Sequence, residues 1–159
     1  MKILIVSDTH GRHGNLDAVL EREAPIDMLL HLGDVEHDEN YIESIAECPV
    51  HIIAGNNDYF SHLPMEKEIQ IGKCKVWMTH GHTHYVSIDT KRIRQAGLSR
   101  GVDVVMYGHT HRPYLDVAGK PILINPGSIA YPRQEGRKPS YIVMEIDVSG
   151  KVNFLLKYL

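Results

Sequence analysis

The sequence predicts an α/β protein in which two sheets pack on each other and helices cover the outside. Three observations carry this prediction. Apolar strand-like runs alternate with helical patterns in the first third of the 159-residue chain, which is typical of a parallel sheet. A hairpin pattern then follows around residues 68–78, and the last third consists of strands and turns.

The first predicted strand covers residues 3–6, where the apolar residues are continuous rather than alternating. A continuous run is typical of a strand that is buried on both faces. Asp8 and His10 follow directly, at the edge where open α/β sheets place their sites. We therefore predict a strand that delivers two metal ligands, with a loop that only hydrogen-bonds to itself as the alternative.

The second unit repeats this arrangement. Apolar residues at helical spacing predict a helix over residues 15–22, with Asn15 as its cap. A second apolar run over residues 27–32 then ends at a glycine and Asp34. The pattern of a strand that leads to a carboxylate has recurred.

The third unit has the same form. A helix is predicted over residues 40–47, and Pro49 ends it. The strand-like residues 50–54 then lead through a glycine into Asn56. Three consecutive units thus end in a polar side chain beside a glycine, which lets the backbone turn sharply there.

The pattern changes from residue 68 onward. Residues 68–71 and 74–78 alternate around a two-residue turn and predict a hairpin, which leads to His80. Asp89 is expected to cap a helix that reaches residue 99, with Ile93, Ala96 and Leu98 facing inward.

A further strand is predicted over residues 102–107, and His109 and His111 follow it. The remaining chain predicts strands and turns alone, and no linker or low-complexity segment interrupts it. We therefore expect one domain over residues 1–159. The last predicted strands are residues 114–117, 122–124, 141–148 and 152–158.

Composition excludes several classes of protein. A formal net charge of -3 with scattered basic residues gives no footprint for specific nucleic-acid binding. The strand-like amino terminus resembles no targeting peptide, and no apolar run reaches the roughly 20 residues of a membrane span. Cys48 and Cys74 lack metal-clasp spacing and are expected to be reduced thiols. A cytoplasmic protein that does not bind membranes is expected.

The polar residues after the strands share one chemistry. All are oxygen or imidazole nitrogen donors without a thiolate, a set that suits manganese, iron, cobalt, nickel or zinc rather than a structural zinc clasp. The candidate metal ligands are Asp8, His10, Asp34, Asn56, His80, His109 and His111.

These motifs resemble the calcineurin-like metallophosphoesterase superfamily, which has Asp-x-His, Gly-Asp, Gly-Asn, His and Gly-His-x-His in this order. The short chain and the Asn-Pro-Gly-Ser turn at residues 125–128 are similar to its small YfcE-like phosphodiesterase branch. The resemblance implies a four-layer α/β/β/α sandwich and two divalent metal ions. It implies one metal held by Asp8, His10 and His111, a second held by Asn56, His80 and His109, and Asp34 as the bridge between them.

The resemblance also implies an activity. A phosphodiesterase of this kind would hydrolyse a small-molecule phosphate ester through a hydroxide bound between two metals, with manganese expected first and nickel, cobalt, iron or zinc as alternatives. Asp34 and Asn56 would belong to this catalytic centre. The alternatives are a phosphomonoesterase, a dinucleoside polyphosphate hydrolase, or a non-catalytic scaffold like the retromer subunit of the superfamily. A homo-oligomer is compatible with the resemblance, although no stretch marks an interface.

One position departs from the pattern. Many members have a proton-donating histidine after the Gly-Asn asparagine, whereas this chain has Asn57, and an amide does not act as a general acid near pH 7. His82 is the candidate catalytic replacement, with a purely hydrogen-bonding histidine as the equal alternative. The Gly-His-Thr-His sequence at residues 81–84 repeats the one at residues 108–111, and motif order favours the later copy as the metal motif.

Overall fold

The computed structural model describes residues 1–159, which form ten strands and three α-helices. A short 3₁₀ helix covers His82–His84. None of the α-helices is both long and apolar enough to cross a membrane. In chain order the elements are β1 (Lys2–Val6), α1 (Gly14–Glu23), β2 (Met28–His31), α2 (Glu39–Ile45), β3 (Val50–Ile52), β4 (Glu66–Ile71), β5 (Cys74–Thr79), α3 (Lys91–Arg100), β6 (Val104–Met106), β7 (Pro113–Asp116), β8 (Ile122–Pro126), β9 (Ser140–Ile146) and β10 (Val152–Tyr158).

The strands form two mixed sheets of five strands each. The order of the first sheet is β10-β9-β1-β2-β3, and that of the second is β4-β5-β6-β8-β7. In the first sheet β1, β2 and β3 are parallel, and in the second sheet β5, β6 and β8 are parallel. The carboxyl ends of neighbouring parallel strands therefore meet at one edge of each sheet.

The two faces of β1 explain its continuous apolar sequence. Ile3 and Ile5 lie in the core between the two sheets, together with Val76 and Met106 of the second sheet. Leu4 and Val6 on the other face belong to a separate core beneath α1 and α2. Successive strand residues point to opposite faces, so a strand that is buried on both sides needs apolar residues at every position.

The second sheet is covered in the same way by a helix. Ile93 of α3 packs with Trp77, Val105 and Leu123 from the outer face of this sheet. The layers are therefore helix, sheet, sheet and helix, which confirms the predicted four-layer sandwich of two mixed sheets.

Three local expectations are corrected. Asn15 does not cap α1: the helix begins at Gly14 without a side-chain cap, and the Asn15 amide donates to the carbonyl oxygen of Ile129 at 2.8 Å. The second helix covers Glu39–Ile45 instead of residues 40–47. Leu98 faces solvent with 51% exposure, because α3 approaches the sheet at Gly97, where a Cβ would lie 2.6 Å from a methyl group of Val105.

Candidate metal centre

The predicted ligands follow strands whose carboxyl ends lie at the facing edges of the two sheets. Asp8, Asp34 and Asn56 come after β1, β2 and β3 of the first sheet. His80 and His109 come after β5 and β6 of the second sheet. Parallel pairing brings the ends of such strands to one edge, so the site lies where the two sheets open.

Four side chains meet most closely at this edge: Asp8, His10, Asp34 and His111 each offer a ligand atom within 4.8 Å of the others. The Nε2 atom of His111 lies 3.1 Å from Oδ1 of Asp8. The Nε2 atom of His10 lies 3.2 Å from Nε2 of His111 and 3.7 Å from Oδ2 of Asp34. Two carboxylates and two imidazoles therefore face one small volume.

The hydrogen bonds behind the rings fix which nitrogen carries the proton. Nδ1 of His10 lies 2.7 Å from a carboxylate oxygen of Glu36. Nδ1 of His80 and Nδ1 of His111 each lie 2.7 Å from a backbone carbonyl oxygen, of Leu32 and Tyr131 respectively. An oxygen acceptor beside Nδ1 places a proton there, so Nε2 is the nitrogen that binds a metal ion in the neutral ring.

This tautomer makes the short contact between His10 and His111 informative. Two Nε2 lone pairs that face each other at 3.2 Å repel unless a cation or a proton lies between them. The flanking carboxylates of Asp8 and Asp34 add negative charge around the same volume. The donor set therefore fits a divalent metal ion bound by oxygen and imidazole ligands.

The other three predicted ligands lie around Asp34. Nε2 of His80 is 3.5 Å from Oδ2 of Asp34 and 3.9 Å from Oδ1 of Asp8. The His109 ring lies 5.3 Å from the His80 ring, centroid to centroid. Asn56, after β3, is half-buried. The His80 side chain therefore lies beside both carboxylates, and the His109 backbone N–H donates to Oδ2 of Asp8 at 3.2 Å.

Several polar atoms at the site are buried without a hydrogen-bond partner. They include Oδ1 of Asp8, Oδ1 of Asn56 and Nε2 of His80. A buried polar atom without a partner is costly, and each of these atoms is the one that a metal ion would use. This supports the same donor chemistry independently of the distances.

The backbone at these ligands is strained. Five of the seven have positive φ values: 58° at Asp8, 46° at His10, 57° at Asp34, 69° at His109 and 56° at His111. Non-glycine residues avoid this left-handed region, and such strain concentrates at functional sites. The local turns therefore hold the backbone in an unfavourable conformation that orients these side chains toward the site.

The glycines beside the ligands permit close approach. A Cβ at Gly55 would lie 2.2 Å from Oδ1 of Asp34, and one at Gly108 would lie 2.1 Å from Oγ of Ser7 and 3.0 Å from Oδ2 of Asp8. Any side chain at either position would push the carboxylates out of place. The Gly-Asn and Gly-His motifs therefore have a steric reason.

Asp58 is a supporting residue that connects two of the loops at the site. Its buried carboxylate accepts hydrogen bonds from the backbone N–H groups of Asp34 at 2.8 Å, Glu36 at 2.7 Å and Gly55 at 2.7 Å. It also accepts one from Val35. Asp58 thus ties the loop that carries Asp34 to the loop that carries Asn56.

Electrostatic coupling is strong within the centre. Burial alone would raise the pKa of Asp34, but contact with His80 and a hydrogen bond from the Asn57 N–H hold this pKa well below its usual value. Burial alone would lower the pKa of His80, but Asp34 and Asp8 raise it to about 8. The carboxylates are therefore ionised at neutral pH, ready for a cation.

Two supporting groups could not be recognised from the sequence. Glu36, two residues after Asp34, resembles any surface glutamate, and Tyr131 contributes only its backbone oxygen to His111. His31 is buried between the Thr9 hydroxyl and the Gly33 N–H. Burial lowers its pKa to about 4, so His31 is neutral.

Asn57 and His82 flank the centre. The Asn57 side chain donates to Oδ2 of Asp34 at 2.9 Å, and its backbone N–H donates to Oδ1 at 2.9 Å. The His82 ring lies 5.5 Å from the His80 ring and 6.1 Å from the His109 ring. Its Nδ1 is buried without a hydrogen-bond partner.

Known proteins share both the sequence pattern and the fold. The chain is 34% identical over 156 residues to a probable metallophosphoesterase of Methanocaldococcus jannaschii, covering 96% of this chain and 78% of the relative. The crystal structure of a predicted phosphoesterase from Streptococcus pneumoniae matches with a TM-score of 0.80 and 28% identity, covering 99% and 96% of the two chains.

A protein of another kind has the same fold. Zinc-complexed Vps29 of Entamoeba histolytica matches with a TM-score of 0.79 and 25% identity over 99% of each chain. The calcineurin-like phosphoesterase superfamily domain matches residues 1–149 of this chain. This match over most of the chain agrees with the four-layer fold and with the cluster of histidines and carboxylates. The chain therefore belongs to the calcineurin-like phosphoesterase superfamily.

Proposed function

We propose that this protein is a metal-dependent phosphodiesterase that acts on small-molecule phosphate diesters. The observation that carries the proposal is the convergence of Nε2 atoms on two buried carboxylates, with the opposite nitrogen of His10, His80 and His111 held by an oxygen acceptor. Histidine rings fixed in this way are oriented with Nε2 toward the position of a metal ion.

Two divalent cations fit the proposed ligand sets, and manganese is the first to test. When bound, such cations polarise phosphoryl oxygens and lower the pKa of water to near neutrality, which supplies a hydroxide nucleophile. We assign Asp8, His10 and His111 to one cation, Asn56, His80 and His109 to the other, and Asp34 to both.

The surrounding residues hold these ligands in place. Asp58 fixes the backbone of the Asp34 loop, and Asn57 donates to both carboxylate oxygens of Asp34. An Asp34 that is held from both sides keeps its position when a substrate arrives, which is the preorganisation that catalysis requires. Residues 1–159 are proposed to form one domain, because residues of both sheets contribute to the core between them.

Proton supply to the leaving group differs from the common pattern of the superfamily. Asn57 is already used as a donor to Asp34, so it does not serve as the acid. His82 is the proposed proton or hydrogen-bond donor, since it lies beside the rings of His80 and His109. Burial and the charge of His80 lower the pKa of His82, which works against proton donation and favours substrates with good leaving groups.

The test compares two chromogenic esters with the same leaving group: bis(p-nitrophenyl) phosphate and p-nitrophenyl phosphate. Metal-stripped protein is assayed with each of manganese, nickel, cobalt and zinc added back, and with a chelator as control. We expect metal-dependent release from the diester that exceeds release from the monoester. The opposite preference would assign the same site to phosphomonoesters.

A non-catalytic scaffold is the alternative from another class, and the similarity to Vps29 supports considering it. Calorimetry of metal binding separates the two functions. Metal bound with high affinity but no turnover of either ester, with any of the four metals, would overturn the enzymatic proposal and favour the scaffold.

A further inference from the structure

A cavity of about 730 Å³ opens directly beside the candidate metal centre. The rings of His10 and His111 form part of its wall. Three arginines, Arg112, Arg133 and Arg137, form another part. The cavity therefore joins the metal centre to a strongly basic surface.

The charges of these arginines are unbalanced. None of the three forms an ion pair, whereas Arg94 pairs with Asp116 and Arg100 with Glu66 elsewhere on the surface. The one carboxylate in the cavity wall belongs to Glu36, and it already accepts from His10. Only Arg94 and Arg100 of the eight arginines are ion-paired, so these three are distinguished by lining one cavity rather than by a missing carboxylate.

The arginines lie on backbone that is tied to the metal ligands. The Arg133 N–H donates to the carbonyl oxygen of His111 at 2.9 Å, and Arg112 directly follows His111 in sequence. The Ser128 hydroxyl donates to the carbonyl oxygen of Asp8 at 2.8 Å and accepts from the Tyr131 N–H at 2.7 Å. The backbone of Arg112 and Arg133 is therefore fixed relative to the site, and the Arg137 N–H donates within the same segment to the carbonyl oxygen of Gln134.

Clustered guanidinium groups repel one another, and an anion with several oxygens relieves this repulsion through charge-assisted hydrogen bonds. The phosphate that is hydrolysed would lie on the cations and not on the arginines. Arg112 already donates from Nε to the carbonyl oxygen of Arg133 at 3.3 Å. Its other N–H groups, with Arg133 and Arg137, are thus available for a different anionic group of the same molecule.

We propose that Arg112, Arg133 and Arg137 form a subsite for a second phosphate group of the substrate. The preferred substrates are then phosphodiesters or phosphoanhydrides that carry a further phosphate beside the bond that is hydrolysed. This inference rests on the proposed function, since it adds specificity to the same site.

Two chromogenic diesters with the same scissile bond test the subsite: the 5′-(p-nitrophenyl) ester of thymidine monophosphate, with and without a 3′-phosphate. Free manganese is held constant. We expect kcat/KM to be about 10- to 100-fold higher for the ester with the second phosphate, the range of one or two charge-assisted hydrogen bonds. The double variant Arg133→Gln/Arg137→Gln should bring this ratio close to one.

Arg92→Gln is the matched control, because Arg92 stacks over Tyr85 on the outer helix layer and the ratio should stay at its wild-type value. A binding measurement covers the case without turnover. Calorimetry on manganese-loaded protein compares thymidine 3′,5′-bisphosphate and adenosine 5′-diphosphate with the corresponding 5′-monophosphates.

The outcomes separate the two proposals. Tighter binding of either doubly phosphorylated nucleotide, lost in the double variant, supports the subsite, and the nucleotide that is preferred shows whether the second phosphate is an ester or an anhydride. Equal binding within both pairs would overturn the subsite even if the diesters are hydrolysed. Hydrolysis of neither diester would count against the proposed function, while the binding result still decides the subsite.

Discussion

Two clusters of buried carboxylate in this molecule have opposite designs. At the end of α1, Glu23 is 3% exposed and is fully matched: Lys157 lies 2.9 Å and Lys2 2.8 Å from its oxygens, and the Tyr141 hydroxyl donates at 2.8 Å. At the metal centre, Oδ1 of Asp8 has no hydrogen-bond partner. The difference teaches that Glu23 has partners within the chain for both of its oxygens, whereas Asp8 keeps one buried oxygen free for a ligand.

The largest effect is expected from removing a side chain of the candidate metal centre. Asp34→Asn and His80→Ala should each abolish metal-dependent diester hydrolysis, a loss of more than about 100-fold, because both side chains face the centre. Circular dichroism should show that both variants stay folded. Asp89→Asn, at an exposed aspartate before α3, is the matched control. Full activity in either site variant would contradict the assigned centre.

A substitution of Asp58 tests whether the positions of the proposed ligands determine metal affinity. Asp58→Asn replaces one acceptor oxygen with an NH₂ group that faces backbone N–H groups of the Asp34 and Gly55 loops, so the two loops lose their common anchor. We expect metal affinity to fall about 10- to 100-fold, measured by calorimetry. Added metal should restore much of the activity, because no ligand is removed. A variant that binds metal as tightly as the wild type would show that Asp58 does not position the ligands.

A substitution in the Glu23 cluster should instead lower stability and leave activity unchanged. Glu23→Gln leaves Lys2 and Lys157 without their carboxylate partner and should lower the free energy of unfolding by about 1–3 kcal/mol. For a chain of this size that is about 2–4 °C in Tm per kcal/mol. Diester hydrolysis at 25 °C should be unchanged. A loss of activity without a loss of stability would erase the distinction between the two clusters.

The smallest expected effect is a pH dependence of the difference in stability between wild type and Glu23→Gln. Burial alone would raise the pKa of Glu23, but Lys2, Lys157 and Tyr141 lower it from 4.5 to about 2. A pKa that is lower in the folded state gives stability that is complete above about pH 4.5 and is lost as the pH falls toward 2. The difference in Tm between wild type and Glu23→Gln, measured with chelator present, should therefore narrow below pH 4.5. A constant difference down to pH 2.5 would disprove the assigned coupling.

The sequence predicted what depends on local pattern. The continuous apolar run of β1 indicated burial on both faces, and the residue types after the strands indicated a metal-binding edge, because strand ends in a parallel sheet necessarily meet. Contacts between distant parts of the chain could not be predicted in this way. Asn15 was interpreted as a helix cap, but its partner Ile129 is 114 residues away.

The matched network around Glu23 was missed for the same reason. Its partner Tyr141 lies 118 residues along the chain and Lys157 lies 134 residues away. The role of Asp58 depends on the fold in the same way, since only the folded loops bring four N–H groups to its carboxylate. Side chains that support a site thus carry a weaker sequence signal than the residues that form it.

The left-handed backbone at the proposed ligands lowers the stability of the folded protein. Each such residue costs about 1–2 kcal/mol relative to a relaxed conformation, so the five strained ligands together reduce the margin by which the protein stays folded. Selection for stability alone would favour glycine at these positions. A chain that did not use the proposed metal centre would gain stability by replacing these side chains with glycine, so the proposed function carries a cost in stability.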